Sequence, residues 1–118
     1  MTFDELKDRT KRIALSIIRL SASLPHNRET DVLAKQLLRS ATSVGANYRG
    51  ARRARSHADF INKIGIVEEE ADESLYWLEL LVESKFGTEA AVRPLMKEMK
   101  ELTAIFTASG RTVKSRRQ

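Results

Sequence analysis

The densest group of residues that could do chemistry is a run of carboxylates at positions 68–73, with the sequence EEEADE. Bundle helices hold di-iron centres through such carboxylates, but those centres also need Glu-x-x-His pairs. The chain has only two histidines, and the sequence puts His26 in a loop and His57 at a helix start. The sequence therefore predicts no metal site and no cofactor. Four acidic residues at helical spacing indicate an outward, solvated face instead: Glu68, Asp72, Glu79 and Glu83.

Nucleophilic catalysis has no better support in the sequence. The chain contains no cysteine, which excludes a thiolate nucleophile, a disulfide framework and a cysteine zinc site. Its serines are scattered over helical segments, and neither histidine is placed to activate one. No glycine-rich phosphate loop follows a strand, because no strand is predicted. We therefore expect a protein that is not an enzyme.

The basic residues offer a clearer chemical hypothesis. They concentrate in the segment NYRGARRARSH and in the last eight residues. Arginine binds phosphate in a bidentate manner, so this pattern predicts contact with an RNA or DNA backbone, without sequence reading. The alternative is a solvated face that pairs with acidic residues of the same chain or of a neighbouring subunit. The candidate residues are Lys35, Arg39, Arg49, Arg52, Arg53, Arg55, Arg111, Lys114, Arg116 and Arg117.

Charge is segregated along the chain. The formal net charge of +5 comes from a basic segment 1–56, an acidic segment 57–110 and a basic tail 111–118. No run approaches the ~20 apolar residues of a membrane span, and the N-terminus lacks the apolar stretch of a signal peptide. We therefore expect a soluble, cytoplasmic protein with no membrane partner.

The elements that must position these residues are helices. Apolar residues recur every three or four positions almost throughout the chain, which is the period of an amphipathic helix. We expect Thr30 or Asp31 to be the N-cap of the second helix and Ser56 the N-cap of the third. We expect Gly87 to end the third helix in the left-handed conformation. The pattern predicts one domain over residues 1–110, with helices at about 3–23, 31–55, 57–85 and 89–109.

Four helices with short connections hide their apolar faces most simply as an all-α, antiparallel, up-down-up-down four-helix bundle. The second helix carries a row of polar residues, the polar seam, beside its stripe of apolar residues. We expect this polar seam to face polar residues of the third helix. A buried carboxylate needs partners, so Ser43 and Asn47 should donate to Glu70; a ligand pocket is the alternative. The predicted network is Ser40, Ser43, Asn47, Glu70 and Ser74.

The third helix is apolar on too many sides for a helix that packs on one face. Its extra apolar residues lie away from the main stripe and would form an exposed patch on a monomer. Aromatic residues are typical anchors of protein interfaces. We therefore expect self-association, although packing under the first or fourth helix of the same chain would also cover these residues. They are Ile66, Tyr76, Trp77 and Leu80.

The segment QLLRSATSVGANYRGARRARSHADFINKIGIVEEEADESLYWLELL resembles bacterial four-helix-bundle proteins encoded in intervening sequences of 23S ribosomal RNA genes. The resemblance covers roughly residues 10–108. It implies an up-down-up-down bundle that assembles as a homopentamer around a central channel, and it does not imply an enzyme. Accessory proteins of diversity-generating retroelements, which bind nucleic acid and a reverse transcriptase, look like more distant relatives of this family. This chain departs from them in its strongly acidic third helix.

Together these observations predict a non-enzymatic, ring-like homo-oligomer. Its expected partners are further copies of itself and the backbone of RNA or DNA. The alternative is a scaffold that binds another protein and no nucleic acid.

Overall fold

The computed structural model describes the backbone of residues 1–117 and the side chains of residues 1–114. Within this range the chain is all-α, with no strand. Its four helices fill a body of 49 × 21 × 21 Å. They are α1 (Phe3–Ser23), α2 (Arg28–Arg52), α3 (His57–Glu83) and α4 (Glu89–Arg117).

Each helix packs against its neighbours in the sequence, and α4 closes the arrangement against α1. The contacts are antiparallel, because residue numbers rise on one helix as they fall on the next. Along α3 and α4, for example, Ile64 lies beside Gly110 and Glu68 beside Thr107. The predicted all-α four-helix packing is confirmed. No helix in the described range combines the length and apolarity needed to cross a bilayer.

The start of α2 differs from the prediction. The helix begins at Arg28 and is capped by Asn27, whose side chain accepts a hydrogen bond from the Thr30 amide at 2.8 Å. Thr30 and Asp31, the expected caps, lie inside the first turn. Asparagine caps as well as aspartate and better than threonine. Asn27 therefore extends the helix by one turn at this end.

The end of α3 also differs from the prediction. The residue in the left-handed region is Lys85, with φ of 66°, and not Gly87. Gly87 is needed for a different reason, since a Cβ there would lie 2.8 Å from Cγ2 of Val92. This glycine allows the start of α4 to fold closely back onto the end of α3.

The predicted tail of residues 111–118 is not a separate segment as far as the structure describes it, which is to residue 117. α4 continues past the expected end at 109 and through Gly110 to Arg117. The helix is supported there by α3, because a Cβ on Gly110 would lie 3.7 Å from Ile64 Cγ2 and the His57 Nε2 lies 3.1 Å from the Val113 carbonyl oxygen. Arg111 and Lys114 are therefore helical residues. The side chains of Arg116 and Arg117 lie outside the described residues.

Candidate nucleic-acid interface

A basic cleft lies between α1 and α2 at the end of the bundle where α1 begins and α2 ends. Its larger part has a volume of about 670 Å³. A smaller part of about 340 Å³ continues along the same two helices and shares Lys7, Ala46 and Arg49 with the first. The basic residues that line the cleft are Lys7, Lys11, Arg49, Arg52 and Arg53.

Small residues on α2 form the floor of this cleft. Gly45, Ala46 and Gly50 lie where α1 passes α2. A Cβ on Gly45 would lie 3.3 Å from Oγ1 of Thr10, a buried residue of α1, so the two helices approach closely at this level. With no large side chains between them, the long lysine and arginine side chains on both helices stand around an open depression.

The charge in the cleft is largely uncompensated. Lys7, Lys11, Arg49 and Arg53 are exposed and form no ion pair among the described side chains. Arg52 contacts Asp4 at 3.4 Å, but both side chains are mostly exposed. Such surface pairs contribute little and are screened by salt. No carboxylate lines either part of the cleft. The site is therefore suited to an anion.

An aromatic stack anchors one wall of the cleft. Tyr48 contacts the fully buried Phe106, with ring centroids 5.4 Å apart, and Phe3 stacks on Tyr48 at 4.7 Å. The guanidinium carbon of Arg52 lies over the Phe3 ring, 4.5 Å from its centroid. This cation–π contact holds Arg52 in one place. The neighbouring Arg49 and Arg53 have no such support.

Three further predicted cations lie at the same end of the bundle. Arg55 is exposed in the connection between α2 and α3, and Arg111 and Lys114 are exposed on the last turns of α4. The contact between His57 and Val113 joins the start of α3 to this part of α4. The antiparallel order thus brings basic residues from distant parts of the chain to one end.

The structure removes two of the predicted residues from this group. Lys35 lies towards the other end of α2, in an apolar groove that also contains Ile18, Leu38 and His26. Arg39 pairs with Glu70 at 3.2 Å and with Glu73, both on α3. For Arg39 the alternative interpretation therefore describes the structure: the cation pairs with the acidic helix of its own chain.

Replacing Arg39 by glutamine should lower the free energy of unfolding near neutral pH. The Arg39 hydrogen bond, aided by one from the Trp77 indole, holds the pKa of Glu73 below its ordinary value of 4.5. A carboxylate with a lowered folded-state pKa stabilises the protein above its unfolded-state pKa, and this contribution is lost as the pH falls through the folded value. The stability difference between wild type and variant should therefore shrink below pH 4.5. Urea denaturation across the acid range measures it, and a gap independent of pH would contradict it.

The polar seam forms a smaller network than predicted. Ser40 and Ser74 are fully buried, and the Ser74 hydroxyl donates to Ser40 Oγ at 2.9 Å. Asn47 instead bonds within α2, to the carbonyl and hydroxyl oxygens of Ser43 at 2.9 Å. The expected donation from Ser43 and Asn47 to Glu70 is therefore wrong. The longer Arg39 side chain reaches Glu70 instead, and its Nη1 donates to both carboxylate oxygens.

The four candidate interface residues differ in exposure. Tyr76 is 52% exposed, whereas Trp77 packs partly against the core and donates its indole N–H to Glu73 at 3.3 Å. Ile66 and Leu80 are half-buried. Packing within the chain thus covers much of this group. Tyr76 is the most exposed of the four.

Sequence reasoning missed Lys7, Lys11 and Phe3 as parts of the cleft. These residues are spaced four apart on α1, so they share one face of the helix. That spacing was a usable signal, because the face borders the apolar stripe of Leu6 and Ile13. In the described part of the chain, no three histidine or acidic side chains converge to hold a metal ion.

Comparison with known proteins places the chain in a family. The family model for the 23S rRNA-intervening sequence protein matches residues 5–108. A crystal structure of a protein of unknown function from the S23 ribosomal protein family of Bacteroides thetaiotaomicron superposes with a TM-score of 0.86 at 36% identity, covering 94% of this chain and 99% of that chain. No curated protein matches the chain. This chain therefore belongs to the 23S rRNA-intervening sequence protein family.

Proposed function

We propose that this protein is a non-enzymatic binder of the RNA or DNA phosphate backbone, acting in the cytoplasm. The observation that carries the proposal is the basic cleft, where five cations from two helices surround a depression with no carboxylate in its lining. Arginine forks match phosphate geometry, and lysines add charge at any orientation. The cleft presents no motif that reads base edges, so the expected binding is to the backbone.

The surrounding surface supports the same function. Arg55, Arg111 and Lys114 extend the positive charge around the end of the bundle. A nucleic acid is longer than the cleft and would meet these side chains as it leaves. Concentrated positive potential also speeds the encounter with a polyanion. The acidic face of α3 should keep the nucleic acid at the basic end.

Titration of a labelled structured RNA at several salt concentrations tests the proposal. Each neutralised phosphate adds roughly 0.7 to 0.9 to the slope of log affinity against log salt. With four or five contacts, we expect affinity to fall with a slope of about 3 to 4. Absence of binding at low salt, or binding that does not respond to salt, would refute this function.

A second candidate function is self-assembly into a ring-like scaffold. Its motivation is Tyr76, which lies among acidic side chains of α3 that have no ion-pair partner among the described residues: Glu69, Asp72, Glu79 and Glu83. A surface at the end of α1 and the start of α2 is complementary to this acidic surface, because it places the exposed Ile18 beside Lys35 and Leu38. Contact between two such different surfaces is head-to-tail, and it gives a ring when the rotation from one subunit to the next closes. We propose a homo-oligomer on this basis, and a pentamer from the family resemblance.

Replacing Tyr76 by glutamate should weaken this assembly, because it removes an exposed aromatic anchor and adds charge to an acidic surface. Light scattering should show a smaller mass for the variant than for the wild-type protein at equal concentration. Val32→Glu is the matched control, because Val32 is similarly exposed at 57% but lies on α2, outside the proposed contact. A monomeric wild-type protein would exclude the assembly, and equal loss in both variants would exclude the proposed surface.

A further inference from the structure

Arg52 lies at the surface end of a row of aromatic rings, and its side chain is accessible to a ligand. In the core, the Phe106 ring is tilted by 43° against Tyr48; Phe3 stacks on Tyr48, and the Arg52 guanidinium lies over Phe3 at the surface. The Arg52 side chain is 61% exposed although Phe3 covers one side of it. Much of this side chain is therefore open to solvent, and a ligand can reach it. A flat, electron-rich group placed there would continue the stack.

We infer that the basic cleft binds an unpaired nucleotide, whose base stacks on Arg52 while its phosphates lie among Lys7, Arg49 and Arg53. This inference rests on the proposed function and specifies its ligand as single-stranded nucleic acid. Guanidinium planes stack on splayed bases in the recognition of single strands. The cleft, at about 670 Å³, lies within the range of sites that hold small organic molecules.

Two contacts orient Arg52 before a ligand arrives. The guanidinium carbon lies over the Phe3 ring, and Nη1 contacts Asp4 at 3.4 Å. The Arg52 side chain nevertheless remains mostly exposed. Phe3 is itself held by Tyr48, a residue that is 7% exposed. A stacking surface that is already ordered loses little side-chain entropy on binding.

The cations around Arg52 are placed for phosphates on either side of a stacked base. Arg49 lies on the last turn of α2 and Arg53 directly follows the end of that helix, and Lys7 lines the same cleft from α1. A base within a duplex cannot reach the guanidinium face without leaving its own stack, which costs free energy. The arrangement should therefore prefer a single strand to a duplex with the same charge density or higher.

Binding assays with three probes test the inference on the wild-type protein. The probes are a single-stranded RNA of about 12 nucleotides, the same strand annealed to its complement, and a strand of equal length with abasic sites throughout its centre. We expect the single strand to bind at least about fivefold more tightly than the abasic strand, because base stacking is lost there while the phosphates remain. The duplex should also bind more weakly than the single strand.

Two charge-conserving variants locate the effect. Arg52→Lys keeps the charge but removes the plane, and should lower the preference for the single strand over the abasic strand to near unity with an unchanged salt slope. Arg28→Lys is the matched control at an exposed arginine at the other end of α2, outside the cleft, and should keep the preference. Phe3→Leu should act in the same direction as Arg52→Lys. Thermal melts establish that each variant is folded. The comparison of the three probes is made on the wild-type protein, so it tests the inference even if a variant does not fold.

The outcomes separate this inference from the proposed function. Equal affinity for all three probes with a steep salt slope would overturn base stacking and leave backbone binding in place. Displacement of the single strand by an acidic peptide of equal charge, at equal concentration, would show that the cleft responds to charge alone and would also overturn the inference. No binding of any probe at low salt would refute the proposed function, and the inference with it.

Discussion

Arg49→Glu combined with Arg53→Glu should reduce affinity for RNA about 100-fold at low salt. Both residues line the basic cleft at the end of α2, and both are exposed without an ion-pair partner among the described side chains. Each reversal removes a charged contact with phosphate and adds a carboxylate that repels it. The two effects together reduce the favourable free energy of binding by more than the loss of one neutral hydrogen bond would. The salt slope should fall by roughly 1.5 to 2. Fluorescence anisotropy at several salt concentrations measures both changes.

Lys97→Glu combined with Lys100→Glu is the matched control. Both lysines are exposed on α4 and form no ion pair among the described residues. Because this variant also replaces two cations by two carboxylates, its net charge equals that of the test variant. If binding follows overall charge, the two variants should lose equal affinity, and the cleft would have no special role. If the arginine variant instead changes the mass measured by light scattering and leaves affinity intact, the cleft serves assembly.

Phe106→Ala should lower the free energy of unfolding by about 3 to 5 kcal/mol, the usual range for removing a buried phenylalanine. Phe106 is fully buried and contacts Tyr48, so the deletion leaves a cavity in the core beside that ring. A domain of this size has about 5 to 15 kcal/mol of stability in total. Urea denaturation at fixed protein concentration measures the loss.

Phe86→Ala provides the comparison for this substitution. Phe86 is half-buried, in the connection between α3 and α4, and packs against the edge of the core. It should lose less than half as much stability, because its environment is already partly solvated and can collapse around a smaller side chain. Equal losses in the two variants would mean that the core does not depend on the aromatic stack.

The sequence determined the helical fold through the period of its apolar residues. Leu37, Val44 and Tyr48 recur along one face of α2, and all three are buried in the structure. Ile64, Ala71 and Leu78 do the same on α3. This information is local, because a stripe every three or four residues has only one way to be buried, against other stripes. Four stripes with short connections left little choice of architecture.

Helix ends were less predictable because several residues compete for each one. Asn27 and Thr30 can both cap a helix, and which of them does so depends on where α1 ends and on the path of the connection to α2. Gly110 was expected to end α4, since glycine disfavours a helix in isolation. Contacts with Ile64 and His57 on α3 support the helix beyond it. Tertiary packing overrode the local preference there.

Charge alone did not show which cations are available to a partner. Arg39 and Arg49 lie on the same helix and look equivalent in the sequence, yet Arg39 is paired with Glu70 and Glu73 while Arg49 lines an open cleft. The difference arises because α3 passes one side of α2 and α1 passes the other.

The sequence by itself thus determined the four amphipathic helices, the antiparallel bundle and a surplus of basic residues in the first half of the chain. Only the tertiary structure decided that Lys7 of α1 lines one cleft with Arg49 and Arg53 at the end of α2, over a floor of small residues, and that Phe3 supports Arg52. Helix periodicity fixes which side of a helix is buried. The partner of each remaining face depends on how distant segments pack, since residues more than forty positions apart create the cleft together.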